Sequence, residues 1–318
     1  MPIELGTVQE AKALLRRYLP VTRLLPASSL TTSDCNVYLK IESDLPTGSF
    51  KPRGALWALS VNLARSLKEV IASSTGNHGA AVAYAAKKMG VACTIFLPAN
   101  PNATKRAKIA ALGANIIECG GADLASAFMA AREYAKQDGV YFLNDATDPD
   151  LPAGPATIAC EIFEQAPATD TIYVPMGDTA LIRGVAAAAK QIASGVRVVG
   201  VQAERAPSYF LSWREGRAVP TETCETIADG LATRTPEEEN VAEICKLVDE
   251  VVLVSEEEML SAIRHLKEKE GVDAEPAGAA ATAAFRKTKA EPGRAVVLLM
   301  TGANISSEVR RTAFGDNE

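Results

Sequence analysis

Two histidines and six scattered cysteines are the only imidazole and thiol ligands this 318-residue chain offers to a metal. Cys35, Cys93, Cys119, Cys160, Cys224 and Cys245 form no C-x-x-C pair, which argues against a zinc site or a disulfide framework. Reduced thiols packed in a core are the simpler expectation. His78 and His265 are too few to build a histidine-based metal centre. The chain also lacks positive charge: its formal net charge is −6, so nucleic acid, which demands a basic face, is not an expected partner. Residues 1–6 carry no charged-then-apolar signal pattern, and no apolar run reaches membrane-spanning length. A cytoplasmic protein with no membrane partner is expected. Internal repeats and low-complexity linkers are missing too. What remains is 47% hydrophobic and 23% charged, enough to bury a substantial core in one large or two moderate domains.

Short β-branched runs alternate with alanine-rich helical runs. Strands are expected at 70–73, 91–97, 116–117, 171–174, 197–201, 251–254 and 295–300. Helices are expected at 79–89, 104–112, 122–136, 180–193 and 256–269. Ser255 followed by Glu256, Glu257 and Glu258 reads as an N-cap with an acidic first turn. The polar stretch 233–243 reads as a surface loop running into a helix. Strands alternating with helices indicate an α/β fold with mainly parallel sheet, whose strands are buried on both faces and so read as unbroken apolar runs.

Five segments carry candidate chemistry. Ser49-Phe50-Lys51-Pro52-Arg53-Gly54 sets a lysine between an aromatic residue and a proline, in a run of turn residues from Leu45 to Gly54. It is either an exposed loop lysine or one held partly out of water for Schiff-base formation. Ser73-Ser74-Thr75-Gly76-Asn77-His78-Gly79 follows a strand and opens a helix, offering N–H groups to an anion and the Asn77 amide to an oxygen; an ordinary polar N-cap is the competing reading. Residues 174–184, V-P-M-G-D-T-A-L-I-R-G, repeat that logic. They match neither G-x-x-x-x-G-K-[ST] nor G-x-G-x-x-G, which disfavours nucleoside triphosphates and nicotinamide dinucleotides. Thr301 and Gly302 follow an apolar strand, as a ligand-facing hydroxyl or as a plain turn. Glu275 precedes the small-residue run Pro276-Ala277-Gly278-Ala279-Ala280, as a functional carboxylate or as a first-turn acid.

Taken in order, these segments resemble the motif set of the fold-type II pyridoxal phosphate enzymes, the tryptophan-synthase-β-like superfamily. The likeness runs over nearly the whole chain and is closest to the serine/threonine dehydratase and serine racemase branch. Glu225-Thr226-Ile227-Ala228-Asp229-Gly230, Leu247-Val248-Asp249-Glu250 and Glu275-Pro276-Ala277-Gly278 add to it. The resemblance implies two domains, each an open, mainly parallel twisted sheet flanked by helices, with pyridoxal 5'-phosphate in the cleft between them. A small domain at 67–141 would be inserted into a larger one made of 1–66 and 142–318. It further implies that Lys51 forms the Schiff base and that Asn77 bonds the ring hydroxyl. Gly177, Asp178, Thr179, Ala180 and Leu181 would hold the phosphate, Thr301 would meet the pyridine nitrogen, and Phe50 and Glu275 would complete the cofactor contacts. Ser74, Thr75, Gly76, Asn77 and His78 would take the substrate carboxylate. The activity implied is β-elimination from a threonine- or serine-like amino acid, giving a 2-oxo acid and ammonia, in a homodimer. A neutral hydroxyl at Thr301 makes the ring a weaker electron sink, which suits elimination. A threonine-synthase-like replacement or a racemase on the same cofactor is the alternative, and a non-catalytic ligand-binding member a remote one.

The chain departs from that pattern in three places. Dehydratases usually carry four glycines where this chain has Gly177, Asp178, Thr179 and Ala180, and Asp178 brings negative charge toward a phosphate. For that reason Asp178 is expected to point away or to bond the loop's own backbone. Thr75 stands where serine racemase has a second catalytic base, a serine, so Thr75 is a further catalytic candidate. The racemase cation-site carboxylates fall on Gln202 and Ser208, so no metal is expected. Arg53, Arg183 and Arg205 are candidates by charge alone for a phosphorylated substrate. The chain ends soon after Thr301, which leaves no room for the regulatory domain of biosynthetic threonine dehydratases, so isoleucine feedback is not expected.

Overall fold

A computed structural model of the chain describes residues 3–121, 124–288 and 294–315. In chain order it contains α1 (Leu5–Leu15), β1 (Leu24–Pro26), β2 (Cys35–Ile41), α2 (Pro52–Leu63), β3 (Glu69–Ser73), α3 (Asn77–Met89), β4 (Ala92–Leu97), α4 (Ala103–Ala111), β5 (Asn115–Glu118), α5 (Leu124–Tyr134) and β6 (Val140–Phe142). There follow α6 (Ala153–Gln165), β7 (Thr171–Pro175), α7 (Ala180–Ile192), β8 (Arg197–Ala203), α8 (Ser208–Glu215), α9 (Glu238–Leu247), β9 (Glu250–Val254), α10 (Glu256–His265), α11 (Pro276–Thr288), β10 (Arg294–Met300) and α12 (Ser307–Phe314).

The strands form two sheets. One has the order β1-β2-β10-β7-β8-β9 and the other β5-β4-β3-β6. Every pairing is parallel except the β1–β2 edge. All five residues of β7 are buried, as are the last five of β10, because helices cover both faces. Helix α7 lies so close to the N-terminal turn of α6 that a Cβ on Gly184 would stand 2.2 Å from the Pro152 carbonyl. Only glycine permits that approach.

The α/β class holds, and the strands and helices named from the sequence are present. Residues 122 and 123, counted into the fifth helix, lie outside the described residues. The acidic cap on α10 is a capping box: Ser255 Oγ accepts from the Glu258 N–H at 3.2 Å, and the Glu258 carboxylate accepts from the Ser255 N–H at 2.8 Å. The expected helix over 256–269 changes at His265 into a π-helical stretch, Leu266–Glu270, closed by Gly271 in the left-handed region at φ 67°. The turn-rich reading of 45–54 needs correcting at its end. Pro52, Arg53 and Gly54 are the first turn of α2, where a proline's missing N–H costs nothing. The cysteines are unpaired and not all in the core: Cys35, Cys93 and Cys160 are buried and Cys245 is exposed.

Candidate active site

Each sheet changes direction once. From β3 the chain builds outward through β4 and β5, then crosses back to lay β6 on the other side of β3. From β7 it builds through β8 and β9, then returns to lay β10 on the other side of β7. Crevices open at the carboxyl ends of strands where order reverses. The loops leaving β3, β6, β7 and β10 carry residues 74–76, 143–146, 176–179 and 301–304. Most of the sequence-derived candidates therefore arise at two switch points, and side-chain bonds join the two.

Lys51 caps α2, and the tip of β10 fixes the loop that delivers it. Phe50 donates its N–H to the Thr301 carbonyl at 3.0 Å, Ser49 pairs with Gly302, and Ala303 donates to the Gly48 carbonyl at 3.0 Å. The Lys51 ammonium, 21% exposed, donates to Asp145 Oδ2 at 2.7 Å and lies 5.4 Å from the Phe50 ring centre. Burial lowers its pKa, but Asp145, then Asp178 and Glu275, attract its charge more strongly, and the net shift is upward. His78 Nε2 meets the Leu143 carbonyl at 2.8 Å and must carry the proton there, since a carbonyl only accepts. Burial holds His78 below its ordinary pKa, so its Nδ1 presents a lone pair 3.8 Å from Asp145 Oδ2. Asp145 sits against both bases. Burial disfavours its charge, but His78, protonated in the acid range where Asp145 titrates, and the Lys51 ammonium outweigh that and hold the carboxyl well below the usual range.

Asn77 is the first residue of α3, and its amide is oriented from both ends. Its Nδ2 donates to Glu275 Oε1 at 2.8 Å, and its Oδ1 accepts from Asn304 Nδ2 at 2.6 Å. Lys108 donates to Asn304 Oδ1 at 2.6 Å and to the Thr47 carbonyl at 3.0 Å. Burial pushes Glu275 up to about 7. Ser74 Oγ accepts from the Gly76 N–H at 3.2 Å and closes the turn before α3. No side chain caps that helix, which leaves its first-turn N–H groups to a ligand or to water.

The loop after β7 is held by its neighbours. A Cβ on Gly177 would stand 2.1 Å from the Gly230 carbonyl, so only glycine fits. Thr179 adopts φ 68° and turns the chain into α7 without capping it; its hydroxyl accepts instead from Arg183 Nε at 3.2 Å. Of the two alternatives expected for Asp178, the bond to its own loop's backbone is not formed. Its carboxylate accepts from Thr233 Oγ1 at 2.9 Å, while Asn240 Nδ2 reaches the Asp178 carbonyl at 3.5 Å. Burial, then the nearby Asp145 charge, raise Asp178 to about 6. Ala180 and Leu181, which begin α7, are buried. Thr301 is buried at the end of β10, and Thr75 is half-buried in the β3–α3 loop.

The arginines held in reserve are already engaged. Arg53 is enclosed by Glu42 and Glu161, Arg183 pairs with Glu243 at 3.0 Å, and the exposed Arg205 lies 3.7 Å from Glu225. Gln202 Oε1 accepts from the Phe210 N–H at 2.8 Å, and Ser208 donates to the Thr233 carbonyl at 2.6 Å. Asp145 and Asn304 were missed. Asp145 lies in L-N-D-A-T-D-P, where Asn144 Oδ1 accepts from the Ala146 N–H at 2.9 Å. That Asx-turn composition is a sequence signal, but β6 before it spans only three residues and gave no strand to place it on.

A lysine and an uncapped helix N-terminus sharing a crevice between two open sheets define an enzyme that binds an anionic cofactor through a lysine. The comparisons agree. Residues 15–302 match the family model described as "Pyridoxal-phosphate dependent enzyme", and the chain belongs to that family. It is 37% identical over 305 residues to an L-threonine ammonia-lyase of Thermotoga maritima, covering 95% of this chain and 76% of that one. It is 33% identical over 310 residues to the catabolic L-threonine dehydratase TdcB of Staphylococcus aureus, covering 95% and 89%. Among solved structures, a processed threonine deaminase isoform 2 from Solanum lycopersicum superposes with TM-score 0.91 at 28% identity, covering 97% of this chain and 92% of that one. A maize serine racemase does so with TM-score 0.90 at 27% identity, covering 98% and 97%.

The residues present fit pyridoxal phosphate. The Gly177 close approach and the uncapped start of α7 suit a phosphate. The Ser49 and Ser73 hydroxyls, on the Lys51 loop and at the end of β3, are buried without a hydrogen-bond partner. Asp178 opposes an anion there, and its raised pKa lowers that opposition near pH 6.

Proposed function

We propose that the protein is an ammonia-lyase that removes the β-hydroxyl from a threonine- or serine-like amino acid, giving a 2-oxo acid and ammonia. The observation that carries this reading is the meeting of Lys51, the 74–78 turn, the 177–181 loop and Thr301 in one crevice. The ammonia-lyase and dehydratase names of relatives that match 95% of the chain support it. We assign residues 1–66 and 142–318 to a large domain and 67–141 to a small inserted one.

Bound pyridoxal phosphate supplies an electron sink that makes proton loss at Cα accessible. Lys51 would anchor it, Asn77 would donate to the ring hydroxyl, and Gly177 to Leu181 would hold the phosphate. Thr301 would face the pyridine nitrogen, with Phe50 and Glu275 completing the surround. The N–H groups and hydroxyls of Ser74 to His78 take the substrate carboxylate. The Lys51 amine removes the Cα proton. The Cβ–O bond breaks as the Cα–Cβ double bond forms, the leaving oxygen takes the proton that Lys51 removed and departs as water, and the released enamine takes up water to give 2-oxo acid and ammonia. Thr75 offers a hydroxyl as a second catalytic group, and racemisation is the activity it would support. The working form is a homodimer in the cytoplasm, with no nucleic-acid or membrane partner; among the described residues no helix is long and apolar enough to cross a membrane. Incubating holoenzyme with L-threonine and L-serine tests the reading: 2-oxo acid and ammonia should appear in equal amounts. Inverted enantiomer without 2-oxo acid would replace it with the racemase.

A further inference from the structure

A cavity of about 240 Å³ adjoins Lys51, lined by Ser73, His78, Phe128, Phe142 and residues 143–146, with Asp178 and Glu237 opposite. Three carboxylates, Asp145, Asp178 and Glu237, thus border one space, and no lysine or arginine lines it. His78 is neutral, for the reason given above. The cation resting on this wall is the chain's own: the Lys51 ammonium on Asp145 Oδ2 at 2.7 Å. Arg183 on α7 is taken by Glu243. Once Lys51 is bonded to the cofactor, Asp145 loses that partner and the cofactor's phosphate adds further negative charge. Asp178 keeps the Thr233 hydroxyl, but no lysine or arginine lines the cavity to balance the wall. The Ser73 hydroxyl, buried in the same wall, is partnerless. Phe128 and Phe142, paired at 5.4 Å between ring centres, form an aromatic side to the cavity, and aromatic rings attract cations.

We infer that this cavity is the side-chain subsite and that Asp145, supported by Asp178 and Glu237, selects amino acids whose side chain carries an ammonium beside or in place of the β-hydroxyl. The inference rests on the elimination reading and shifts its substrate class toward side chains that carry an ammonium. Where the ammonium is itself the β-substituent, the balance is closed. The Cα–H and Cβ–N bonds break, the Cα–Cβ double bond forms, and the nitrogen leaves with its electron pair as ammonia. The enamine then takes up water and gives a 2-oxo acid and a second ammonia.

The test pair is L-2,3-diaminopropionate and L-serine, which differ only in an ammonium for a hydroxyl. Rapid-mixing absorbance of the cofactor band in unmodified holoenzyme reads the binding of each amino acid before turnover. The diamino acid should bind at least about 10-fold more tightly, as expected for a hydrogen bond to a charged group. Asp145→Asn should cut that preference at least about five-fold, and Asp178→Asn serves if the first variant does not fold. Equal binding of the two amino acids, or a preference that neither variant changes, overturns the inference. Turnover by unmodified holoenzyme separates the two readings. Preferential binding of the diamino acid with no 2-oxo acid from any substrate keeps the subsite and removes the elimination reading. 2-Oxo acid from serine and threonine with no ammonium preference does the reverse.

Discussion

Replacing Glu161 with glutamine (Glu161→Gln) alters one charge and almost no shape in the most buried ionic cluster of the protein. Arg53, Glu42, Lys40 and Glu161 are each at most 5% exposed, and the two cations balance the two carboxylates. Glu161 accepts from Arg53 Nη1 at 2.8 Å, Arg53 Nη2 at 2.9 Å and Lys40 Nζ at 2.7 Å. Glu42 accepts from Arg53 Nε at 2.7 Å and Nη2 at 3.0 Å, and Thr22 and Thr157 fill remaining positions. Glutamine leaves a buried excess of one positive charge. Removing one partner of a buried pair costs about 3–5 kcal/mol. The titration of Glu161 gives an independent figure. Burial opposes its charge, but Arg53 and then Lys40 pull its pKa from 4.5 to about 2. At 1.36 kcal/mol per decade that is about 3 kcal/mol. The sign follows from a depressed folded pKa: the stabilisation is present above the unfolded value near 4.5 and is lost as pH falls through about 2. Urea unfolding at pH 7 should therefore show a midpoint lower by about 1 M, taking a slope of about 3 kcal/mol/M. The gap between wild type and variant should close below about pH 2. A loss under about 1 kcal/mol at pH 7, or a gap independent of pH, would refute the electrostatic account. Arg53 follows Lys51 by one turn-forming proline, so the variant should also bind pyridoxal phosphate less tightly.

Lys51→Ala should fold, by circular dichroism, yet lose both turnover and the visible absorbance of bound pyridoxal phosphate; an unchanged band would sink the lysine assignment. Gly177→Ala must push the loop off the Gly230 carbonyl, now 2.1 Å from the added Cβ. Its cofactor dissociation constant, measured by fluorescence titration, should rise at least about 10-fold, a cost of about 1.4 kcal/mol. Glu275 has a folded pKa raised by burial from 4.5 to about 7, so the folded state binds the extra proton and stability falls as pH climbs between those values. Glu275→Gln should flatten that part of the stability profile; a slope identical to wild type counts against the assignment.

The alternation of strands and helices was readable because parallel strands buried on both faces must be mostly apolar, as β7 is from Ile172 and β10 is from Ala295 onward. Lys51, the 74–78 turn and the 177–181 loop were readable because each is a local conformational need written in adjacent residues. Short elements were less visible. Three-residue β6 carries too few side chains for periodicity, and α2 hid behind the turn residues that begin it. Asp178 was noticed, but its partner Thr233 lies 55 positions away, and nothing nearby in the chain points to it.

The chain's own residues thus determine the class of fold and mark Lys51 and the 177–181 loop as candidates, whereas the need for glycine at 177 comes from the Gly230 carbonyl on a loop distant in sequence. Pairings across the crevice were decided by topology. Asp145 meets Lys51 across 94 positions, and Asn77 meets Glu275 across 198 and Asn304 across 227. Those contacts exist because two sheets each reverse their strand order and turn those crevices toward each other. The charge each group carries follows from burial and from neighbours that no local stretch of sequence displays.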